Sequence, residues 1–179
     1  KTGLPINGEP HLEPWLNFLH RMKNATKTVR IGLVGKYVEL PDAYKSINES
    51  LFQAATYNDR KLDLQYIHSE KLNSGNVDAM LSSLDGVLIA PGFGQRGIEG
   101  KFIALKYARE HDIPTFGVCL GMQCMVIEYA RDVLGYTDAN STEMDVTTKH
   151  NVIDLMEEQK SITNMGGTMR LGAYDCILA

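Results

Sequence analysis

Four short apolar runs alternate with longer segments of helical periodicity along the chain. The apolar runs are rich in β-branched residues and are bounded by turn-forming residues, which predicts buried β-strands. They cover residues 28–35, 62–67, 86–90 and 113–118. The intervening segments place apolar side chains three and four positions apart, which predicts amphipathic helices. These cover about residues 42–57, 76–84, 100–112 and 120–134.

The order of these elements predicts the fold class. Strands alternate with helices, and each strand is a continuous apolar run, as in strands that are buried on both faces. We therefore expect an α/β fold with a mostly parallel central sheet flanked by helices on both faces. Ligands of such sheets bind at the carboxyl ends of the strands. Two glycine-rich loops, at 91–97 and 117–121, lie at predicted strand ends and are candidate binding loops.

The two ends of the chain depart from this pattern. Residues 1–27 are rich in proline and polar residues and contain a short helical pattern, so we interpret them as an interdomain linker with a docking helix. After Gly135 the pattern weakens, and we expect a short helix at 151–159 and a loop followed by a strand at 166–179. The sequence opens on lysine and closes on the apolar run CILA, so we expect it to be part of a longer polypeptide.

Composition and charge narrow the classes of function. The 179 residues carry a net charge of −4 without a lysine/arginine block, which argues against nucleic acid as a partner. Neither an apolar run of about 18 residues nor a signal peptide is present, so membrane insertion and export are not predicted. The three cysteines form no even-numbered disulfide framework and lack the spacing of a zinc site. We therefore expect a reducing, cytoplasmic location and no bound metal.

The candidate catalytic motif is Gly117-Val118-Cys119-Leu120-Gly121. It matches a nucleophile elbow with cysteine in place of serine, and the glycines leave room for a sharp strand-to-helix turn. The following helix would direct its N–H groups and positive dipole end toward the sulfur, which favours the reactive thiolate. These five residues alone are equally typical of a packed structural thiol, which is our interpretation of Cys124.

A second loop favours the catalytic interpretation. Residues 90–97 (APGFGQRG) follow the neighbouring predicted strand, where the Gly92 N–H would supply an oxyanion donor opposite that of Leu120. An ordinary strand-to-helix turn is the alternative, because such turns also favour glycine and proline. Two similar motifs do not fit. VGKY at 34–37 ends like a phosphate loop, but Arg30 replaces the first glycine of that motif and Tyr37 replaces its serine or threonine. GFGQRG at 92–97 has the glycine spacing of a dinucleotide-binding loop but does not follow the first strand.

Five segments in this order carry a resemblance to a known family: KYVELPDAYKS, GFGQRGIEGK, GVCLGMQ, DANSTEMD and GGTMRLGA. GVCLGMQ is typical of class I (triad) glutamine amidotransferases in general. The other four segments resemble the glutamine amidotransferase domain of the CTP synthases. The resemblance covers about residues 28–179, and residues 1–27 occupy the place of that family's interdomain linker. It implies a flavodoxin-like fold of the class I glutamine amidotransferase type.

The resemblance implies a glutaminase that supplies ammonia. In the family, the cysteine attacks the side-chain amide of glutamine, forms a glutamyl thioester and releases ammonia, and water then releases glutamate. The ammonia passes to an N-terminal synthase domain, absent from this sequence, where UTP activated by ATP is converted to CTP. The glutaminase domain needs no cofactor of its own. ATP and Mg²⁺ serve the synthase step, GTP is an allosteric activator, and the full enzyme is a homotetramer.

Site residues follow from the resemblance by motif position. It implies that Cys119 is the nucleophile and that Gly92 and Leu120 form the oxyanion hole. Arg170 suits the carboxylate of glutamine, because its guanidinium is a planar fork, and Glu143 suits the ammonium group. Without the resemblance, these two residues would be interpreted as a surface charge and a turn acid. The remaining implied contacts to glutamine are Phe93, Gly121, Met122 and Gln123.

A third implied feature is a lid. In the family, the R-G-x-E segment takes part in the response to GTP, and here it comprises Arg96, Gly97 and Glu99. Its glycine and charges suit a mobile loop over the thiol. The alternative is a solvated loop with no regulatory part.

Two departures from the family pattern matter. The usual P-G-G-F-G is here Ala90 to Gly94, APGFG, but the glycine before Phe93 is kept, so the oxyanion assignment stands. Triad enzymes also need a histidine base and a glutamate, from an H-P-E motif, and none of the five histidines is followed by Pro-Glu. We expect both residues to lie beyond Ala179, and this sequence alone to hydrolyse glutamine poorly or not at all.

Three other functions stay open on sequence grounds. One is the glutaminase domain of another triad amidotransferase, such as that of GMP or carbamoyl phosphate synthesis. Another is a non-catalytic flavodoxin-like module with a buried thiol. The third is a hydrolase with the same elbow that acts on a different amide or ester.

Overall fold

Helices and strands alternate through most of the chain, as the sequence predicts. The computed structural model describes residues 8, 10–40 and 42–156. The strands are β1 Lys27–Gly35, β2 Arg60–His68, β3 Gly86–Ile89, β4 Thr115–Gly117, β5 Asn140–Ser141 and β6 Asn151–Ile153. The helices are α1 Glu13–Asn24, α2 Lys45–Tyr57, α3 Val77–Leu81, α4 Ile98–Glu110 and α5 Leu120–Asp132.

The main sheet has four parallel strands in the order β2-β1-β3-β4. Val34 of β1 lies opposite Ile89 of β3, and Ile89 lies opposite Gly117 of β4, so the carboxyl ends of these three strands are aligned. The predicted α/β class with a parallel sheet is therefore confirmed. Because β1 leads outward to β2 and β3 leads outward to β4, the connections diverge between β1 and β3. In sheets of this type, a crevice for ligands forms at that point.

Helices cover both faces of the sheet. Successive residues of one strand contribute to different cores: Val34 packs with α3, α4 and α5, whereas Leu33 packs with the face that holds α2. The same split separates Ile89 from Leu88 in β3. Burial on both faces explains why these strands are continuous apolar runs in the sequence.

The N-terminal helix α1 packs on the outside of α2. Its contact is aromatic: the ring of Phe18 lies 6.3 Å from that of Phe52 and 5.9 Å from that of Tyr57. Of the apolar residues that predict this helix, Leu12, Trp15 and Leu16 remain exposed. The helix itself is confirmed, and its role as an interdomain linker stays a prediction.

The region after α5 differs from the sequence-based expectation. Residues 151–153 form strand β6, paired in parallel with β5, where a short helix was predicted. The β5–β6 pair packs on α5, and Met144, Val152 and Ile153 join the core on that side. The predicted loop and strand at 166–179 lie outside the described residues. None of the helices in the described part of the chain is long and apolar enough to span a membrane.

Candidate active site

The candidate site lies where β1, β3 and β4 end. Lys36 follows the last residue of β1, Gly92 lies in the loop after β3, and Cys119 comes two residues after the end of β4. The parallel pairing brings these three chain segments to the same edge of the sheet, beside the point where the connections diverge. Both glycine-rich loops predicted to bind a ligand are therefore neighbours.

Cys119 occupies the strained elbow that the motif predicts. Its φ of 53° and ψ of −112° are unfavourable for a residue with a side chain, and such strain typically costs about 1–3 kcal/mol. A Cβ atom on Gly121 would lie 2.1 Å from the Ile89 carbonyl oxygen, and one on Gly117 would lie 2.5 Å from the Met122 nitrogen. Both flanking glycines are therefore required by the close approach of strand and helix.

The elbow presents its thiol at the start of α5. Cys119 is the N-cap residue of this helix, and its side chain is exposed. The first N–H groups of a helix have no intrahelical acceptor and carry partial positive charge. Within the described residues, no acceptor is hydrogen-bonded to the Leu120 N–H, so this donor is available beside the sulfur.

Gly92 and Leu120, the predicted oxyanion pair, lie close together. A Cβ atom on Gly92 would contact the Leu120 Cδ2 atom at 3.7 Å and the Lys36 Cε atom at 3.6 Å. No acceptor among the described residues is bonded to the Gly92 N–H. Two unpaired N–H groups on adjacent segments are the arrangement that an oxyanion hole needs, and their role in catalysis stays a prediction.

Cys124, one turn further along α5, has the opposite surroundings. Its side chain is completely buried in the core, and burial raises the pKa of its thiol to about 11. A thiol of this kind is neutral and unreactive at physiological pH. The interpretation of Cys124 as a core residue is supported.

The predicted glutamine contacts near the elbow form an open surface. Phe93 is 79% exposed, Met122 is exposed, Gln123 is half-buried and Gly121 is buried beneath them. The structure thus groups these predicted residues, and their contacts to glutamine stay a prediction.

Glu143 reaches the same region through the turn after β5. Its side chain is exposed, and its backbone N–H donates a hydrogen bond to Ser141 Oγ at 3.2 Å. The side-chain amide of Gln95 donates to the neighbouring Met144 carbonyl at 2.5 Å, which joins this turn to the loop that carries Gly92. Arg170, the predicted partner of the substrate carboxylate, lies outside the described residues.

The predicted lid residues lie on the surface between β3 and α4. Arg96 is exposed, and its Nη1 atom pairs with Glu70 Oε1 at 2.7 Å while its guanidinium lies over the Tyr37 ring. Gly97 caps α4 with a φ of 78°, and a Cβ atom there would lie 2.4 Å from Ser69 Oγ. Glu99 is exposed in the first turn of α4. The glycine is thus explained by packing.

Histidine does not accompany the thiol in the described part of the chain. His150 lies 2.5 Å from Asp138 and stacks on Tyr136, and His111 stacks on Tyr107. No hydrogen bond joins any described histidine to Cys119. The described residues also hold no cluster of three or more histidine, cysteine or carboxylate side chains suited to a metal ion.

Two buried lysines at the site were missed by the sequence analysis. Lys101 is 2% exposed, and its ammonium donates to the Ala90 carbonyl oxygen at 2.7 Å. Lys36 is 8% exposed and donates to the Phe93 carbonyl oxygen. The sequence does contain one indication that Lys101 is buried, because it lies among the apolar positions of α4. For Lys36, the neighbouring residues of VGKY give no such indication.

Curated relatives match this chain over nearly its whole length. A CTP synthase of Bacteroides fragilis is 70% identical over 178 residues, which cover 99% of this chain and 33% of that protein. CTP synthases of Porphyromonas gingivalis and Flavobacterium johnsoniae are 62% and 58% identical, with 99% and 98% of this chain covered and 33% of each relative. The chain therefore spans about a third of the length of these relatives.

A solved structure and a family model also match this chain. The structure, titled Trypanosoma brucei CTPS glutaminase domain with bound acivicin, has a TM-score of 0.68 and 40% identity, and covers 74% of this chain and 52% of that one. The family model "Glutamine amidotransferase class-I" matches residues 39–179, the span that holds both the cysteine elbow and the loop after β3. The chain belongs to the class-I glutamine amidotransferase family.

Proposed function

We propose that this chain is the glutaminase part of a CTP synthase. Cys119 hydrolyses glutamine, and the ammonia is used to aminate UTP to CTP. The observation that carries the proposal is the strained, exposed thiol at the start of α5, with unpaired N–H groups of Gly92 and Leu120 beside it among the described residues. The 70% identity with a CTP synthase supports the choice of product.

The chemistry follows from the elbow. The Cys119 thiolate attacks the side-chain carbonyl carbon of glutamine, and the Leu120 and Gly92 N–H groups stabilise the oxyanion that develops. The C–N bond breaks, ammonia leaves after gaining a proton, and a glutamyl thioester remains on the sulfur. Water then attacks the thioester, which releases glutamate and regenerates the thiol. Binding at the amino-acid end falls to Glu143 for the ammonium and Arg170 for the carboxylate.

Other parts of the proposal extend beyond this chain. The ammonia passes to a synthase domain, where ATP with Mg²⁺ activates UTP, and the complete enzyme is a cytoplasmic homotetramer. Isotope transfer tests the product: the full-length protein is given glutamine labelled with ¹⁵N in the side-chain amide, together with UTP, ATP and Mg²⁺. The proposal requires labelled CTP. Labelled ammonia without CTP would instead indicate a different triad amidotransferase.

We further propose that Arg96, Gly97 and Glu99 form a lid that responds to GTP. Support comes from Arg96, whose exposed guanidinium is held only by Glu70 and the Tyr37 ring among the described residues, so a bound anion can compete for it. The variant Arg96→Ala in the full-length protein should weaken GTP activation of glutamine-dependent CTP formation. CTP formation from added ammonia should be unchanged. Equal losses in both reactions would contradict the lid.

A further inference from the structure

Lys101 is an unusual residue to find inside a core. It projects from α4 beneath the active-site edge of the sheet, and its side chain is almost completely enclosed. A buried ammonium is costly unless it is paired, yet no carboxylate among the described residues forms an ion pair with it. Burial accordingly lowers the pKa of Lys101. Its hydrogen bond to the Ala90 carbonyl, 2.7 Å long, is therefore the main polar contact that compensates for its burial.

Lys36 is a second buried lysine that bonds to a backbone carbonyl of the same loop. It follows β1, its side chain is buried, and its ammonium donates to the Phe93 carbonyl. Within the described residues, its ammonium also lies 5.3 Å from the centre of the Tyr37 ring, and no carboxylate pairs with it. Two lysines from different elements are thus buried at one loop, and both bond to backbone carbonyls rather than to acids.

The two carbonyls lie on either side of Gly92 in the chain. Ala90 and Phe93 lie on either side of Pro91-Gly92, and proline fixes its own φ and has no N–H. Gly92 is therefore the flexible point of this short segment, and its N–H is the proposed oxyanion donor. With both flanking carbonyls held, the rotation open to the Pro91–Gly92 peptide, which carries the Gly92 N–H, is restricted.

We propose that Lys101 and Lys36 are positioning residues that hold segment 90–93 in the conformation that directs the Gly92 N–H toward the oxyanion. The inference rests on the proposed glutaminase function. Neither lysine touches the substrate. Each acts through a backbone carbonyl, and the effect appears when negative charge develops on the amide oxygen of glutamine.

The test replaces each ammonium with a side chain of similar length. The variants Lys101→Met and Lys36→Met are made in the full-length protein, with Lys106→Met as the matched control. Lys106 lies on the same helix but is half-exposed and pairs with Asp132 at 2.9 Å. Because exchange of a buried charge for an apolar side chain is often neutral or stabilising, Lys101→Met should fold, and its thermal midpoint should not fall below that of Lys106→Met by more than a few degrees.

Two rates are measured for each variant, glutamine hydrolysis and alkylation of Cys119, to distinguish a positioning role from a direct effect on the thiolate. Glutamine hydrolysis needs the oxyanion hole, whereas alkylation of Cys119 by iodoacetamide is a displacement at a saturated carbon and forms no oxyanion. We expect kcat for glutamine to fall about tenfold or more in both variants, with KM changed much less. Alkylation of Cys119, followed by peptide mapping, should fall by much less than glutamine hydrolysis in the same variant.

Every other outcome overturns the inference. Equal losses in hydrolysis and alkylation would show that the ammonium acts on the thiolate rather than on the loop. Full hydrolysis by both variants would show that the loop needs neither lysine. A loss that tracks a lower thermal midpoint would show a purely structural role. If the unsubstituted full-length protein fails to hydrolyse glutamine, the proposed function fails instead, and that result is seen before any variant is measured.

Discussion

Cys119 caps helix α5, Cys124 lies five residues later within it, and the two thiols differ in almost every physical property. Cys119 is exposed, has a positive φ and stands at the helix start. Cys124 is fully buried, has an ordinary helical backbone and a thiol pKa of about 11. The surroundings of each thiol, not the residue type, therefore determine which one can act as a nucleophile.

The difference arises from where the chain meets the sheet. At Cys119, the chain turns sharply from β4 into α5, and the contact of Gly121 with Ile89 leaves no room for a side chain. At Cys124, the helix packs its apolar face into the core. The elbow has a strained backbone, and it exposes the thiol beside N–H groups of Gly92 and Leu120 that are unpaired among the described residues. The body of the helix, in contrast, is stabilised by burial of its apolar side chains.

Removal of the two thiols should have the largest and most unequal effect. Cys119→Ala should lower glutamine hydrolysis by at least about 10⁴-fold, because the covalent route is lost. Cys124→Ala should retain most of the activity, since its thiol takes no part in the reaction. Released glutamate, measured for both full-length variants, checks this. Comparable activity losses would contradict the division of roles.

Substitution of an elbow glycine should have the second largest effect on glutamine hydrolysis. In Gly121→Ala, the new methyl group would collide with the Ile89 carbonyl, so strand and helix must separate, at a cost of about 3 kcal/mol. We expect a lower thermal midpoint together with loss of glutamine hydrolysis. Gly75→Ala is the control, because it is distant in the chain and its nearest recorded neighbour is the Asn73 side chain at 3.2 Å. A fully active, stable Gly121→Ala protein would show that the elbow is looser than described.

Alkaline stability should show the smallest effect and report on Cys124 alone. The pKa of its thiol is about 11 when folded and near 9.0 when unfolded, so the unfolded state loses its proton first. Stability from this group is present below pH 9 and is lost between about pH 9 and 11, by roughly 2–3 kcal/mol in total. Urea unfolding of Cys124→Ala should show a shallower decline over this range. Identical slopes in both proteins would contradict the burial of the thiol.

Local signals explain why the elbow and sheet were predictable. The inner strands β1 and β3 contribute to the cores on both faces and therefore appear as apolar runs. Gly117 and Gly121 lie two positions on either side of Cys119, so the elbow motif is visible within five residues. The short strand β6 was not predictable, because its three residues cannot establish a period. Its pairing with β5 joins residues eleven and twelve positions apart in the chain.

Long-range contacts explain what was missed. Lys36 bonds to a carbonyl 57 residues away, and nothing near VGKY in the sequence indicates this partner. Lys101 lies closer to Ala90, eleven residues away, but its role depends on how α4 folds over the sheet. The bond from Gln95 to Met144, 49 residues apart, brings the Glu143 turn to the site for the same reason.

One measurement tests the central claim that Cys119 is an activated nucleophile in a glutamine site. The full-length protein is treated with a glutamine-like diazo-ketone electrophile, with and without excess glutamine, and the modified residue is located by mass spectrometry. The account predicts modification of Cys119 alone, suppressed by glutamine. Modification of Cys124 or Cys176 at a similar rate, or labelling of Cys119 that glutamine does not suppress, would contradict it.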